Sequence, residues 1–386
     1  MIYLDYNATT PLAPEVLAAM LPVLERGFGN PSSIHAAGRD ARAIIDDSRD
    51  RLAAILGARP HEIVFTGGGT EADNLAVIGL AKSQSREKGK RRHLITASTE
   101  HHAVLHAAAF LEKEEGFSVT WLPVDRHGVI DPDELRRAMT SETALVSIMS
   151  ANNETGTVQP VSEIATACRE RGVLFHSDMI QSFGKLPVSV RDSADAPGPD
   201  AISLTAHKFY GPKGAGALWL RSGLSIDRIV FGGSHENERR PGTENAPAIA
   251  GLARAAELVM EGMNAEQERQ APLRDALWEG IAAAYPRAVL NGHPSERLAN
   301  TLNVSFPGMD GESLLINFDL EGICVSSGSA CMVGSIQASH VLLAMGVPKE
   351  AAHAAVRFSL GKGTTEKEIK KVVARMPAIV DRLQAE

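Results

Sequence analysis

The sequence predicts an α/β protein: a mostly parallel sheet with helices on both faces, followed by a smaller α+β unit. Three observations predict it. Between Ile63 and Ser177, short apolar or β-branched runs alternate with helical stretches, the pattern of βαβ units. A helical stretch from Pro247 to about Ala284 then leads away from that region. Beyond it the order changes to strand, two helices, strand and a closing helix over Glu366–Gln384. With 386 residues, a large unit at 15–250 is expected beside a smaller one built from 1–14 and 251–386.

Taken in order, residues 1–40 read as loop-rich, with Asn7-Ala-Thr-Thr-Pro11 and Gly29-Asn-Pro-Ser-Ser33 as turn signals. The alternation then runs strand Ile63–Thr66, helix Glu71–Lys82, strand His93–Ser98 and helix His102–Glu114. Strand Val119–Val124, helix Pro132–Thr140, strand Ala144–Ser150, helix Val161–Arg171 and strand Val173–Ser177 continue it. Ala201–Ala206 and Gly216–Leu220 are two further strands, joined by a tight turn that carries Gly211, Pro212 and Gly214. The smaller unit holds strand Leu302–Phe306, helix Glu312–Glu321, helix His340–Met345 and strand Ala355–Leu360.

A formal net charge of −8 argues against nonspecific attraction to nucleic acid or to an anionic membrane. Lys88-Gly-Lys-Arg-Arg92 accordingly reads as a solvated basic loop. The mean hydropathy of −0.08 fits the lack of any apolar run long enough to span a bilayer. Met1–Tyr6 reads as folded sequence rather than a leader, and three cysteines suggest a reducing compartment, so a cytoplasmic location is expected.

Polar residues recur where strands end. Gly67-Gly-Gly-Thr70 joins a strand to a helix, where backbone N–H groups can approach an anion; the alternative is a tight turn capped by Thr70. Neither a Walker loop nor a dinucleotide fingerprint has this spacing. Asp178 closes a strand and needs a cation if buried, such as a protonated ring nitrogen, or else caps the next helix. Gln181 can donate to a phenolate-type oxygen. His101 can lie on an aromatic ring and shuttle protons, or be a satisfied structural histidine. Asn152-Asn-Glu-Thr-Gly156 closes another strand. Lys208 follows His207 at the end of a buried strand, where desolvation keeps an amine nucleophilic. One ligand with a phosphate, an aromatic ring, a ring nitrogen and an aldehyde satisfies all of these. Pyridoxal 5'-phosphate has those groups, with Lys208 as its Schiff-base lysine and Asp178 as partner of the pyridinium nitrogen.

The combination resembles the cysteine desulfurases. It is carried by Tyr3-Leu-Asp-Tyr-Asn-Ala-Thr-Thr-Pro11, Asn30-Pro-Ser-Ser-Ile-His35, Phe65-Thr-Gly-Gly-Gly-Thr-Glu71 and Glu100-His101. Asn152-Asn-Glu-Thr-Gly156, Asp178-Met-Ile-Gln181, Ala206-His-Lys-Phe-Tyr-Gly-Pro-Lys-Gly214 and Arg240-Pro-Gly-Thr-Glu-Asn245 extend it. Ser326-Ser-Gly-Ser-Ala-Cys331 is similar to the signature of the first of the two desulfurase groups. The resemblance implies a fold-type I, aspartate-aminotransferase-like homodimer that converts L-cysteine to L-alanine and leaves the sulfur as a persulfide on Cys331. It further implies a phosphate site of Gly69, Thr70, Thr205 and His207, completed by Thr243 from the other subunit. It makes His101 the stacking acid/base and Gln181 the ligand of the ring hydroxyl. Asn153 and Arg357 become the clamp on the substrate carboxylate. A sulfur acceptor, an iron–sulfur scaffold or another carrier, is implied as partner. Gly69 stands where alanine is usual and Pro241 where serine is usual.

The three cysteines differ in context. Cys168 in a helix and Cys324 in Gly322-Ile-Cys-Val325 read as small buried residues. Cys331 is flanked by Ser, Gly and Ala in a stretch with little to pack, so a mobile segment near 325–337 that carries a thiol is expected. No Cys/His cluster suits a metal, and none is expected. Other readings are a selenocysteine lyase or small-substrate aminotransferase of the same fold, a noncatalytic sulfur carrier, and a nucleotide-binding protein.

Overall fold

Seven strands, most of them buried along their whole length, form the sheet on which the molecule is built. The computed structural model describes residues 1–89, 91–188, 190, 197–327 and 337–384. In chain order the first elements are β1 (Ile2–Tyr3), α1 (Pro14–Arg26), α2 (Ala36–Leu56), β2 (Ile63–Thr66), α3 (Gly69–Asn74) and α4 (Leu80–Lys88). Then come β3 (His93–Ala97), α5 (His102–Glu114), β4 (Ser118–Leu122), α6 (Pro132–Ala138), β5 (Thr143–Ser147) and α7 (Val161–Arg171). β6 (Leu174–Asp178), β7 (Ala201–Thr205), β8 (Gly216–Leu220) and the long α8 (Ala246–Ala284) follow. The C-terminal part comprises β9 (Val289–Asn291), β10 (Thr301–Ser305), α9 (Gly311–Leu320) and β11 (Ile323–Cys324). It closes with α10 (His340–Ala344), α11 (Lys349–His353), β12 (Ala355–Ser359) and α12 (Glu366–Gln384).

The sheet order is β2-β8-β7-β6-β5-β3-β4. Neighbours from β7 to β4 are parallel, while β8 runs antiparallel to both β2 and β7. Two antiparallel steps restore the direction, so β2 ends on the same edge as β7. Thr66 and Thr205 both pair with Gly216 there. Both faces of the sheet are covered. Ile63 and Phe65 of β2 pack with Ile202, Leu204 and Trp219 against α1, α2 and α8. Val64 between them points the other way, into a core with Leu218 and the helices α4 and α5. Another cluster joins Ile95, Val146 and Phe175 to α7.

The expectation that residues 1–40 are loop-rich is corrected: α1 lies wholly inside that stretch and α2 begins in it. Pro14 occupies the first turn of α1, where its missing N–H costs nothing, and Val16 and Val23 are buried two helical turns apart on one face. The helix expected from Glu71 to Lys82 begins earlier and runs further, through a π-helical turn at Leu75–Gly79 between α3 and α4.

The C-terminal part has its own core. β12, β10 and β9 form an antiparallel three-stranded sheet, and Leu302, Val304 and Phe306 pack with Val356 and Phe358 under α9 and α12. The helix α8 serves both parts: Ile249, Leu252 and Val259 belong to the first core, Leu277 and Ile281 to the second. β1 pairs with β11, so the N-terminus is held against this smaller part. From there Asn7 and Ala8 reach back to the edge of the large sheet, where the site lies.

Candidate active site

The carboxyl ends of β2, β3, β5, β6 and β7 converge on one cavity of about 1060 Å³. Such an edge is where α/β sheets present ligand contacts, and β3 and β5 are neighbours in it whose chains continue to opposite sides, β3 to β4 and β5 to β6. Gly69, Thr70, His101, Asn153, Asp178, Gln181, Thr205, His207, Lys208 and Arg357 all line it.

Each side chain is set by local structure. Thr205 ends β7, and the 3-10 turn Ala206–Lys208 turns the chain so that His207 and Lys208 follow at the edge. The Lys208 Nζ donates to the carbonyl oxygens of Asn7 at 2.6 Å and Ala8 at 2.9 Å. His207 lies near Thr9, Nδ1 to Oγ1 at 3.2 Å, and burial with the charge of Lys208 brings it down to about 4. Asp178 ends β6 and is buried; its Oδ1 accepts from the backbone N–H of Ile180 at 2.8 Å. Burial raises this carboxyl to about 6, against the opposing pull of Lys208. No described residue hydrogen-bonds its Oδ2. Gln181 donates from Nε2 to the carbonyl of Asn7 at 3.0 Å.

His101 caps α5, its Nδ1 accepting from the N–H of Ala103 at 3.2 Å. Burial, and after it the nearby Lys208 charge, lowers it to about 4, so the imidazole is neutral at pH 7. The structural and the functional reading of this histidine therefore coincide in one residue: a helix cap that also lines the cavity. Arg357 in β12 gives Nη1 to the carbonyl of Asn153 at 3.1 Å and Nη2 to Asp5 at 2.9 Å. Its Nε is buried without a partner among the described residues. Asn152, beside Asn153, is a structural residue: its Oδ1 accepts from Glu154 and Thr155 N–H groups.

Thr243, expected to complete the phosphate site of a partner subunit, does not line this cavity. It is exposed and lines a separate hollow with Asn30, Arg42 and Glu244. Cys331 lies outside the described residues. Its flanks do reach the site: Ser326 pairs with Arg357 through both backbone N–H groups, at 2.6 and 3.2 Å. On the other side the Ser339 hydroxyl donates to buried Glu154, and His340 Nε2 lies 2.9 Å from the carbonyl of Glu100. Of the other cysteines, Cys168 is buried as expected and burial pushes its thiol upward, whereas Cys324 is only half-buried, its neighbour Ile323 in β11 taking the buried side.

Sequence reasoning assigned no role to Asn7, Glu71, Glu154 or Lys185. Asn7 acts through its backbone carbonyl, which no residue-type pattern reveals. Glu71 did carry a signal, standing directly after the glycine loop.

The chain matches the aminotransferase class-V family over residues 2–372. A cysteine desulfurase IscS of Dictyoglomus turgidum is 47% identical over 383 residues, covering 99% of this chain and 95% of that one. The chain belongs to the cysteine desulfurases, within the class-V aminotransferase family. Among solved structures, a NifS-like protein superposes with a TM-score of 0.90 at 36% identity, over 99% of this chain and 100% of that one. SspA in complex with cysteine superposes at 0.80 and 36%, over 93% and 99%. This desulfurase is accordingly a pyridoxal phosphate enzyme of the aminotransferase fold.

Its own residues fit that group. The entry to α3 is open because Gly67 and Gly69 lack side chains; a Cβ on Gly69 would stand 2.3 Å from the Ile180 Cδ1. Asp178 keeps one carboxyl oxygen for a ring N–H, and Lys208 brings an amine into the same cavity. Among the described residues no cluster of His, Cys, Asp and Glu could hold a metal ion, and no helix is long and apolar enough to cross a membrane.

Proposed function

We propose that this desulfurase takes the sulfur of L-cysteine onto Cys331, releasing L-alanine. The observation that carries the reading is the convergence of Lys208, Asp178, Gln181 and His101 with Arg357 on one cavity. The balance is simple: the substrate Cβ–Sγ bond breaks, an Sγ–Sγ bond to Cys331 forms, and cysteine plus a thiol becomes alanine plus a persulfide.

Lys208 anchors the cofactor through its aldehyde. Asp178 holds a proton on the ring nitrogen, its carboxylate paired and no longer penalised by burial. Gln181 donates to the ring oxygen. Gly69, Thr70, Thr205 and His207 receive the phosphate, and the partner subunit's Thr243 completes that site in a homodimer. Bound there, the cofactor supplies an electron sink for the substrate Cα. The Lys208 amine, inside the same cavity, would be placed to move the substrate's Cα proton. Neutral His101 accepts or returns a proton at the substrate sulfur, because its lowered pKa leaves the imidazole unprotonated at pH 7. Arg357, with Asn153 beside it, holds the substrate carboxylate, a planar anion that suits the guanidinium fork.

Cys331 attacks as thiolate. It lies five residues beyond Ser326, which is bonded to Arg357, so the connecting chain spans at most about 17 Å. That tether supports delivery of the thiol to the cavity and, on release, presentation of the persulfide to an acceptor, an iron–sulfur scaffold or another sulfur carrier in the cytoplasm.

The test compares wild type and Cys331→Ala, both loaded with cofactor. Mixed with L-cysteine under a reducing thiol, wild type should release alanine and sulfide together as its absorption band shifts. Cys331→Ala should retain the cofactor and the band shift, form no persulfide and release little alanine. Undiminished alanine release from that variant removes Cys331 from the role.

A further inference from the structure

Gln181 is held from both sides. Its Nε2 donates to the Asn7 carbonyl oxygen at 3.0 Å, and its Oε1 accepts from the Lys185 Nζ at 3.0 Å. The same amine donates to the Gln181 carbonyl oxygen at 2.9 Å, four residues back along the chain. A carboxamide is nearly symmetric in shape, and only its partners decide which end is oxygen. Here the Asn7 carbonyl decides it: a backbone carbonyl is an acceptor only, so it faces Nε2, which leaves Oε1 to accept from the Lys185 amine, a donor in either protonation state.

The Asn7 carbonyl that receives Gln181 also receives Lys208, which ties this orientation to the anchoring amine. Among the described residues, no carboxylate forms an ion pair with Lys185, so the two oxygens of Gln181 are its hydrogen-bond acceptors. Its backbone is fixed as well: Gln267 donates from Nε2 to the Lys185 carbonyl at 2.6 Å, which anchors the base of the side chain to α8.

We propose that Lys185 is a positioning residue that locks the Gln181 carboxamide with its amide N–H end toward the cofactor's ring oxygen. The second Nε2–H, beyond the one given to Asn7, is left for a ligand of the cavity that Gln181 lines. A flipped amide would put Oε1 against that oxygen, acceptor against acceptor. Lys185 does not touch the ligand; it acts through Gln181. Burial and the cations Lys208 and Arg357 bring the Lys185 amine down to about 7. The groups facing it are thus Gln181, Lys208 and Arg357, with Glu266 and Gln267 of α8 lining the adjoining hollow. The inference rests on the reading of Gln181 as the ring-oxygen donor.

The test uses full-length protein, wild type, Lys185→Met, Gln181→Ala and the double variant, each reconstituted with pyridoxal phosphate. Two readouts are taken: the cofactor dissociation constant, and the pH midpoint of the bound cofactor's absorption band. A donor to the ring oxygen favours its anion and lowers the midpoint, so losing it raises the midpoint. Lys185→Met should weaken retention about tenfold, as for one charge-assisted hydrogen bond, and raise the midpoint. In the Gln181→Ala background the same substitution should add nothing, since a residue acting through Gln181 has nothing left to position.

A midpoint and affinity at wild-type values in Lys185→Met overturn the proposal. Equal effects of Lys185→Met with and without Gln181 also overturn it, because they assign Lys185 a direct charge effect. If Gln181→Ala alone changes neither readout, the reading of Gln181 fails and the proposal falls with it; that result is seen with Lys185 intact, so the two failures are told apart. Lys185→Leu, a second neutral side chain, carries the same expectations and serves if Lys185→Met does not fold.

Discussion

Arg240 and Glu71, 169 residues apart in sequence, are joined Nε to Oε1 at 2.7 Å. The other carboxylate oxygen of Glu71 accepts from the backbone N–H of Gly67, also at 2.7 Å. One carboxylate thus binds the entry of the glycine loop to the segment that continues to Thr243. The loop proposed to hold the cofactor's phosphate and the residue proposed to serve a partner subunit's site share this support. Both side chains are about a quarter exposed, so the pair is screened in part. Glu71→Ala should weaken cofactor retention by about 1 kcal/mol, roughly fivefold in dissociation constant. A fluorescence titration of the cofactor-free protein reads it; unchanged affinity would leave the bridge a surface ion pair without consequence for the site.

Asp178 gives a pH signature of its own. Its carboxyl is raised from 3.8 to about 6 by burial, which costs the ionised form on the order of 2–3 kcal/mol of folding stability in the cofactor-free protein. A group with a raised folded-state pKa binds its proton more tightly in the folded chain. Its favourable contribution is present below pH 3.8 and is lost as pH rises through about 6. Asp178→Asn removes that cost and keeps an acceptor for Ile180. Cofactor-free Asp178→Asn should therefore be more stable than wild type at pH 8, with the difference shrinking through pH 6 and vanishing near pH 4. Denaturant melts across that range check it. Comparing variant with wild type cancels His101, His176 and His207, all lowered by burial, whose effect on stability has the opposite pH slope; buried Asp73, pushed up by burial and by Asp178, does not cancel and is relieved in the variant, in the same direction as the expected gain. With the cofactor bound, the order should reverse, because asparagine cannot carry the charge that the ring nitrogen pairs with.

The strand ends were legible because each carries the same local signature, an apolar run broken by a functional polar group. β2, β6 and β7 end at Thr66, Asp178 and Thr205, just where the chemistry begins. What was not legible has physical causes. The order of strands places β2 beside β8, a pairing set by packing across the sheet and not by local spacing. The start of α1 hides among prolines, with no side-chain cap at Ala13 to announce it. Asn7 contributes a carbonyl oxygen, which every residue has. Lys185 matters through where its amine ends, which depends on the turn from Asp178 and not on its own neighbours in sequence.

Gly69 and Ile180 form a matched pair at the cofactor cradle. A Cβ on Gly69 would lie 2.3 Å from Ile180 Cδ1 and 3.1 Å from Cγ1, with Thr205 Cβ at 3.4 Å on the other side. The isoleucine tip can rotate, so the collision is relieved at modest cost, but it moves toward the cavity that Ile180 lines. Gly69→Ala should cost about 1–2 kcal/mol of cofactor affinity, the usual scale of local overpacking. Ile180→Ala in the same chain should restore most of it. Failure of the second substitution to rescue the first would place the strain at Thr205 instead.

Arg357 supplies the last prediction, on the substrate. Its Nη1 and Nη2 are engaged by Asn153 and Asp5, and its buried Nε has no partner among the described residues. The second N–H bonds of Nη1 and Nη2 are the donors this guanidinium has left for a substrate carboxylate, which can meet them bidentately. Lysine has the charge but not the fork. Arg357→Lys should raise the KM for cysteine about tenfold or more, with a smaller change in kcat, since the carboxylate is held alike in ground and transition state. Retention of the cofactor should stay within about twofold, because Arg357 is assigned to the substrate and not to the phosphate. Steady-state kinetics on the reconstituted variant decide it. A loss confined to kcat would mean that the Arg357 side chain acts in the transition state alone and does not hold the substrate carboxylate in the ground state.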